Sequence, residues 1–177
     1  MGKYNTDDNN ISINFSRFPF CFRCVSTGKY TNKLKDSKQF FDNFKRIIEK
    51  DIPFYTQHTF DNIVNASKRH SHSIPSDSKE YSLVIEIVKE LYKSHKNNNC
   101  TDRDFELFLD NNINDYHVWQ LGVVGGVRLV GIRYSNVFYV MFIDYHHLVY
   151  PDEKHNSEGY ELYNFCPMTN YDEVRNN

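Results

Sequence analysis

Apolar positions recur along this chain with two different spacings, and the change of spacing divides it into a helical half and a stranded half. Phe40, Phe41, Phe44, Ile47 and Ile48 fall at i, i+1, i+4, i+7 and i+8, which places them on one helical stripe. Asp36-Ser37 stands just before the stripe, where Ser37 can accept from the free amides of a first turn, and the helix is expected to stop near Asp51, ahead of Pro53. A second helix is predicted over residues 57–67, with Phe60, Ile63 and Val64 inward. Residues 68–75 are polar and end in proline, so they suggest a loop or a short extended piece. Ser76 or Ser78 can cap the longest helix, which runs to about His95 with Tyr81, Val84, Ile85, Val88, Leu91 and Tyr92 as its apolar face. A short helix over 101–109 follows, with Asp102 early enough to suit the helix dipole.

From Tyr116 onward the pattern shortens. Residues 117–124, 127–134 and 137–143 read as three strands, joined by turns at Gly125-Gly126 and Ser135-Asn136. The third is almost continuously apolar, which marks it as central or covered on both faces. An earlier strand is expected over 15–25, with Pro19 favouring an edge. Residues 1–14 suggest a polar, frayed arm, and residues 152–177 an acidic, partly irregular tail. The predicted fold is α+β in one domain spanning 1–177: an N-terminal strand, three to four helices, and a three-stranded antiparallel meander packed against them, with that first strand able to complete the sheet.

Composition narrows the function classes. With 177 residues, 40% of them apolar and 16% aromatic, the chain can support a core rich in Phe and Tyr. Net charge is -2, which argues against a general nucleic-acid coat. The charge is uneven: residues 1–60 carry ten Lys or Arg against six acids, and residues 144–177 carry two against seven. The polar start lacks the apolar segment of a secretion signal, no window is apolar enough to span a bilayer, and a cytoplasmic location is expected. Twenty Asn, with abundant Lys, Ile and Tyr, suggest AT-rich coding in a bacterial or phage chain. Cys21 and Cys24 form a C-x-x-C, but on a strand residues three apart diverge, so structural thiols are expected rather than half a zinc site.

Two polar clusters could carry chemistry. The third meander strand ends in Asp144-Tyr-His-His-Leu-Val-Tyr150, so an acid, two imidazoles (His146 and His147) and a phenol leave a buried strand together. His147 can act as acid or base with Asp144 orienting it; alternatively, Asp144 caps backbone amides and the imidazole is packed. Arg69, His70 and His72 form the second cluster, where Arg69 and His72, with Arg128, can hold a phosphodiester beside His147. Arg128 shares a sheet face with Val130 and Ile132; if that face is covered it needs an acid partner, for which Asp144 is placed. His70, His72, His147 and Asp144 lack the spacing of a metal set, and no P-loop or dinucleotide fingerprint occurs, so neither metal nor cofactor is expected.

Arg128-Leu-Val-Gly131, Asn136-Val-Phe138-Tyr139, Asp144 with His147, and Tyr150-Pro151 together resemble a bacterial and mobile-element family. Its members carry R-I-H-G-F, N-x-F-Y-x-V-W and D-P-x-H-x-L-Y-P in this spacing. Arg69, His72 and Ile74 resemble a short R-x-H-x-I stretch of that family, and Phe18-Pro-Phe-Cys-Phe-Arg23 resembles its first strand. Val130, Phe142 and Tyr145 stand where the family has His, Trp and Pro. The resemblance implies fold and a mobile-element origin rather than a mechanism. The order of helices then meander also resembles RelE-type toxin ribonucleases, in topology alone.

Two functions follow as expectations. The first is a phage or mobile-element protein that binds a host or defence-system macromolecule, protein or RNA, without catalysis. The second is a small metal-independent ribonuclease of toxin type, with His147, Asp144 and His72 catalytic and Arg69, Arg128, Tyr150 and His146 binding.

Overall fold

The computed structural model describes residues 9–66, 70–122, 125–151, 159–169 and 171. The chain adopts an α+β fold. In order, β1 (Ser12–Asn14), β2 (Ser26–Thr27) and β3 (Tyr30–Thr31) precede helix α1 (Ser37–Arg46), a π-helical turn (Ile47–Asp51), α2 (Ile52–Thr56) and α3 (Phe60–Ala66). Then come β4 (His72–Ser73), α4 (Lys79–His95), α5 (Asp102–Asn112), β5 (His117–Leu121), β6 (Arg128–Tyr134), β7 (Val137–Asp144) and a short 3-10 turn (Tyr160–Leu162). Five strands form one sheet in the order β1-β7-β6-β5-β4, with β1 parallel to β7 and every other pair antiparallel, while β2 and β3 make a separate hairpin.

The meander is where the alternation placed it, and its two faces are both covered. Val118, Val130, Ile132 and Phe142 meet Val84, Ile87, Val88 and Leu91 of α4 on one face. Leu121, Leu129, Phe138, Val140 and Ile143 meet Ile47, Tyr55, Phe60 and Ile63 on the other. Double coverage is why β7 is apolar at nearly every position. Gly131 sits at a register shift between β6 and β7, where an added Cβ would lie 2.1 Å from the Tyr139 carbonyl oxygen, so only glycine lets the strands close there. Ser135-Asn136 is the expected two-residue turn, with Ser135 at φ 54. The other connection is wider: β5 ends at Leu121 and β6 begins at Arg128, and of the two turn glycines only Gly125 has positive φ.

Several expectations need correction. Residues 15–25 are irregular, and the strand that completes the sheet is β1, inside the segment expected to fray. Pro19 and two turns closed by Phe18 and Phe20 carbonyls explain why this aromatic run does not extend. Asp36 rather than Ser37 caps α1, accepting from the Gln39 amide at 2.8 Å. The helix does not stop before Pro53. The chain widens into a π turn, with the Ile52 amide bonding to Ile47, and this wider turn accommodates a proline that would otherwise collide with the carbonyl four residues back. In the C-terminal segment, Phe165 exchanges two backbone hydrogen bonds of 2.9 Å with Leu34. Among the described residues, no helix is long and apolar enough to cross a membrane.

Candidate functional site

The sheet register brings most of the sequence-flagged polar residues to one end of the face that α4 covers. His72 pairs with Gln120, Gln120 with Val130 and Val130 with Phe142, forming one rung. Beyond it Arg128 lies directly opposite Asp144, its side chain packed over Gly122 and reaching His70. Arg69 lies outside the described residues.

Arg128 is 2% exposed. Its Nη1 donates to the carbonyls of Gly125 and Val127 (the latter at 2.9 Å), its Nη2 donates to His70 Nδ1 at 2.9 Å, and its Nε has no partner among the described residues. The acid expected beside it is indeed the one it faces, but the two interact across the ladder through charge while their hydrogen bonds go elsewhere. Burial lowers the guanidinium pKa, and Asp144 is the first charge to oppose that. The side chain fits because residue 122 is glycine: an added Cβ would lie 2.5 Å from Arg128 Cδ.

Asp144 is fully buried, and its carboxylate accepts from the amides of His146 (3.2 Å) and Val149 (2.9 Å). Burial pushes its pKa up while the amides of Val149, Leu148 and His146 pull it down. It thus organises the turn that leaves β7, the amide-capping alternative of the sequence reading. His146 is buried as well, its Nε2 hydrogen-bonded to the Lys33 carbonyl at 2.7 Å and its ring stacked on Tyr160 and edge-on to Tyr163. His147 takes a left-handed backbone, φ 60, in the same turn.

His72 is half-buried and meets the Tyr150 ring edge-on, with centroids 4.8 Å apart. Its Nε2 lies 3.4 Å from Gln120 Nε2 and its Nδ1 lies 3.0 Å from the Ser73 carbonyl. Burial raises the Tyr150 pKa. His72 and Tyr150 are therefore brought together, and so are Arg128 and His70, but the strand-end acid and His146 are committed to backbone groups. No set of three or more His, Cys, Asp or Glu suited to a metal occurs among the described residues.

A different surface breaks the usual pattern. The apolar stripe predicted for α1 is left largely uncovered, and α1 buries none of its residues: Phe41 is 64% exposed, Ile48 on the following turn 46% and Phe44 36%. By helical spacing the stripe spans about 120° of the circumference. Ile47 at its inner edge is buried, while the outer edge is left to solvent. The exposed side is ordered by ring contacts. Phe40 stacks on Phe44 at 5.7 Å and touches Phe41 at 5.4 Å, Phe44 meets Phe22 at 6.3 Å, and Phe22 stacks on Phe15 at 5.4 Å. The charges beside it pair among themselves: Lys38 with Asp42 (2.6 Å), Lys45 with Glu49 (3.9 Å) and Arg46 with Asp51 (3.7 Å). Among the described residues, the other exposed large apolar side chains, Leu107, Tyr134, Leu162 and Tyr171, lie on separate segments.

The family model described as Uncharacterised protein UU032 matches residues 16–173, which takes in every element except β1. Uncharacterized protein UU032 of Ureaplasma parvum serovar 3 is 26% identical over 173 residues, covering 98% of this chain and 87% of that protein. No solved structure matches the chain.

Proposed function

The chain belongs to the UU032 family, and we propose that it is a non-catalytic protein-binding module whose α1 helix docks into an apolar groove on a partner protein. One observation carries this reading: Phe41, Phe44 and Ile48 stand exposed at i, i+3 and i+7, the spacing by which an amphipathic helix seats its anchors in a groove. Contiguous exposed apolar surface of this kind marks interaction sites. Burying what remains exposed of these side chains would stabilise a complex by roughly 1–2 kcal/mol each. The rim supports a protein partner over RNA. Lys38, Lys45 and Arg46 each pair with an acid of α1 or of the π turn after it, which weakens the field the rim offers to phosphates.

The ribonuclease reading has less support, because Asp144 and His146 spend their hydrogen bonds on backbone groups and Arg128 is sealed beneath the surface. The test is a photo-crosslinking residue placed at position 41 in cells, followed by binding measurements with the purified adduct partner. The expected result is an adduct with one protein, whose affinity falls at least tenfold for the Phe41→Asp, Ile48→Asp double variant. Adducts with RNA alone, adducts only with a second copy of this chain, or unchanged affinity in the double variant would each sink the proposal. Cleavage of an RNA pool that disappears in His147→Ala would favour the ribonuclease instead.

A further inference from the structure

Cys24 and Cys166 come from opposite ends of the chain, 142 residues apart, and meet in the core. The reciprocal hydrogen bonds between Leu34 and Phe165 fix the C-terminal segment immediately before Cys166. Cys24 donates its backbone N–H to Cys166 Sγ at 3.3 Å, and the Cys24 thiol hydrogen-bonds to the same sulfur. Thr169 contributes its amide and its hydroxyl. The Cys166 sulfur thus accepts the Cys24 amide and lies beside the Cys24 thiol and Thr169, surroundings that favour a thiolate. The four cysteines are all reduced, and Cys100 is only half-buried on a different segment.

We propose that Cys166 and Cys24 are an oxidisable dithiol, a modification site at which a hydroperoxide closes a disulfide between the two ends of the chain. The Cys166 thiolate attacks the peroxide O–O bond; sulfur becomes a sulfenic acid, and the leaving alkoxide or hydroxide takes up a proton. The Cys24 sulfur, giving up its proton, then displaces the sulfenic hydroxyl as water and forms the S–S bond. Two thiols lose two electrons in all, and the peroxide is reduced to an alcohol, or water, plus water. Ionisation favours this direction: donation from the Cys24 thiol, then from Thr169, lowers the Cys166 pKa to about 5 against the effect of burial, while Cys24, sharing its proton with that sulfur, is pushed up. Attacking sulfur and resolving sulfur are thereby distinguished by their surroundings. The proposal is independent of the α1 surface.

The test treats the full native chain with hydrogen peroxide, blocks remaining thiols and digests with trypsin, which cleaves after Arg23 and so separates Cys21 from Cys24. The expected result is loss of two of the four thiols and one cross-linked peptide pair joining Cys24 to Cys166, reversed by dithiothreitol. Cys21→Ser should leave that cross-link unchanged. Cys24→Ser should abolish it and let a dimedone probe label Cys166 as sulfenic acid. The reaction rate should fall at least tenfold between pH 7 and pH 4. Cross-links that involve Cys21 or Cys100 instead, or four intact thiols under oxidant that exhausts the thiols of the urea-unfolded chain, would overturn the proposal. Should Cys24→Ser fail to fold, the wild-type digest decides alone.

Discussion

The outer end of the sheet and the outer edge of α1 depart from the rule of apolar inside, polar outside in opposite senses. At the sheet end, Arg128, Asp144 and His146 are charged or polar and almost wholly buried. On α1, Phe41 and Ile48 are apolar and face water. The two departures carry different costs. A buried carboxylate is tolerable only with its hydrogen bonds made, and here backbone amides make them, so the group belongs to the architecture. An exposed phenylalanine costs little in the free chain and contributes only when something covers it, so the group is available for a function. The comparison teaches that residue type alone does not decide either region: Asp144 and His146 bond to backbone groups, and the apolar stripe leaves its outer edge at the surface.

The strongest way to break this comparison is Asp144→Ala. It should destabilise the protein by about 3–5 kcal/mol in urea unfolding, since it strips the acceptor from the turn amides and removes the charge opposite Arg128. A change under about 1 kcal/mol would mean that the turn does not depend on the carboxylate. Arg128→Met should cost about 1–3 kcal/mol, with His70 and two carbonyls losing their donor while the orphaned Nε is relieved. A gain in stability would show that the buried cation is kept at the expense of folding, and would reopen the sheet end as a functional site. His146→Ala should cost about 2 kcal/mol through the lost bond to Lys33 and the vacancy between Tyr160 and Tyr163, measured by thermal unfolding. Phe41→Ser and Ile48→Ser should each shift stability by no more than about 0.5 kcal/mol, while reducing binding of a hydrophobic dye to the native protein.

Much of the architecture was legible from local pattern. The meander, the turn at Ser135-Asn136 and the long helix capped by Ser78 follow from period-two and period-3.6 spacing and from one capping side chain. The pairing of Arg128 with Asp144 was not: the turn alone would set Arg128 opposite Ile143, and the register shift between Val130 and Gly131 is what brings Asp144 opposite it. The irregular course of residues 15–25 was not. Its aromatic residues suit a strand in composition, but here they are spent on packing: Phe18 and Phe20 enter the core beside α4 and α5, while Phe15 and Phe22 stack towards α1. The helix through Pro53 escaped notice for a related reason, since a π turn leaves no distinct mark in the spacing of apolar residues.

Sequence by itself determined the elements set by neighbours a few residues apart: where chains alternate, where helices begin, and which strands pair through short turns. Tertiary structure alone decided which polar groups would be spent on backbone amides, which half of a wide apolar stripe would be covered, and that Cys24 would meet Cys166. Those outcomes depend on contacts between segments up to 142 residues apart. Burial is a property of where the layers stop, and no local spacing encodes that boundary.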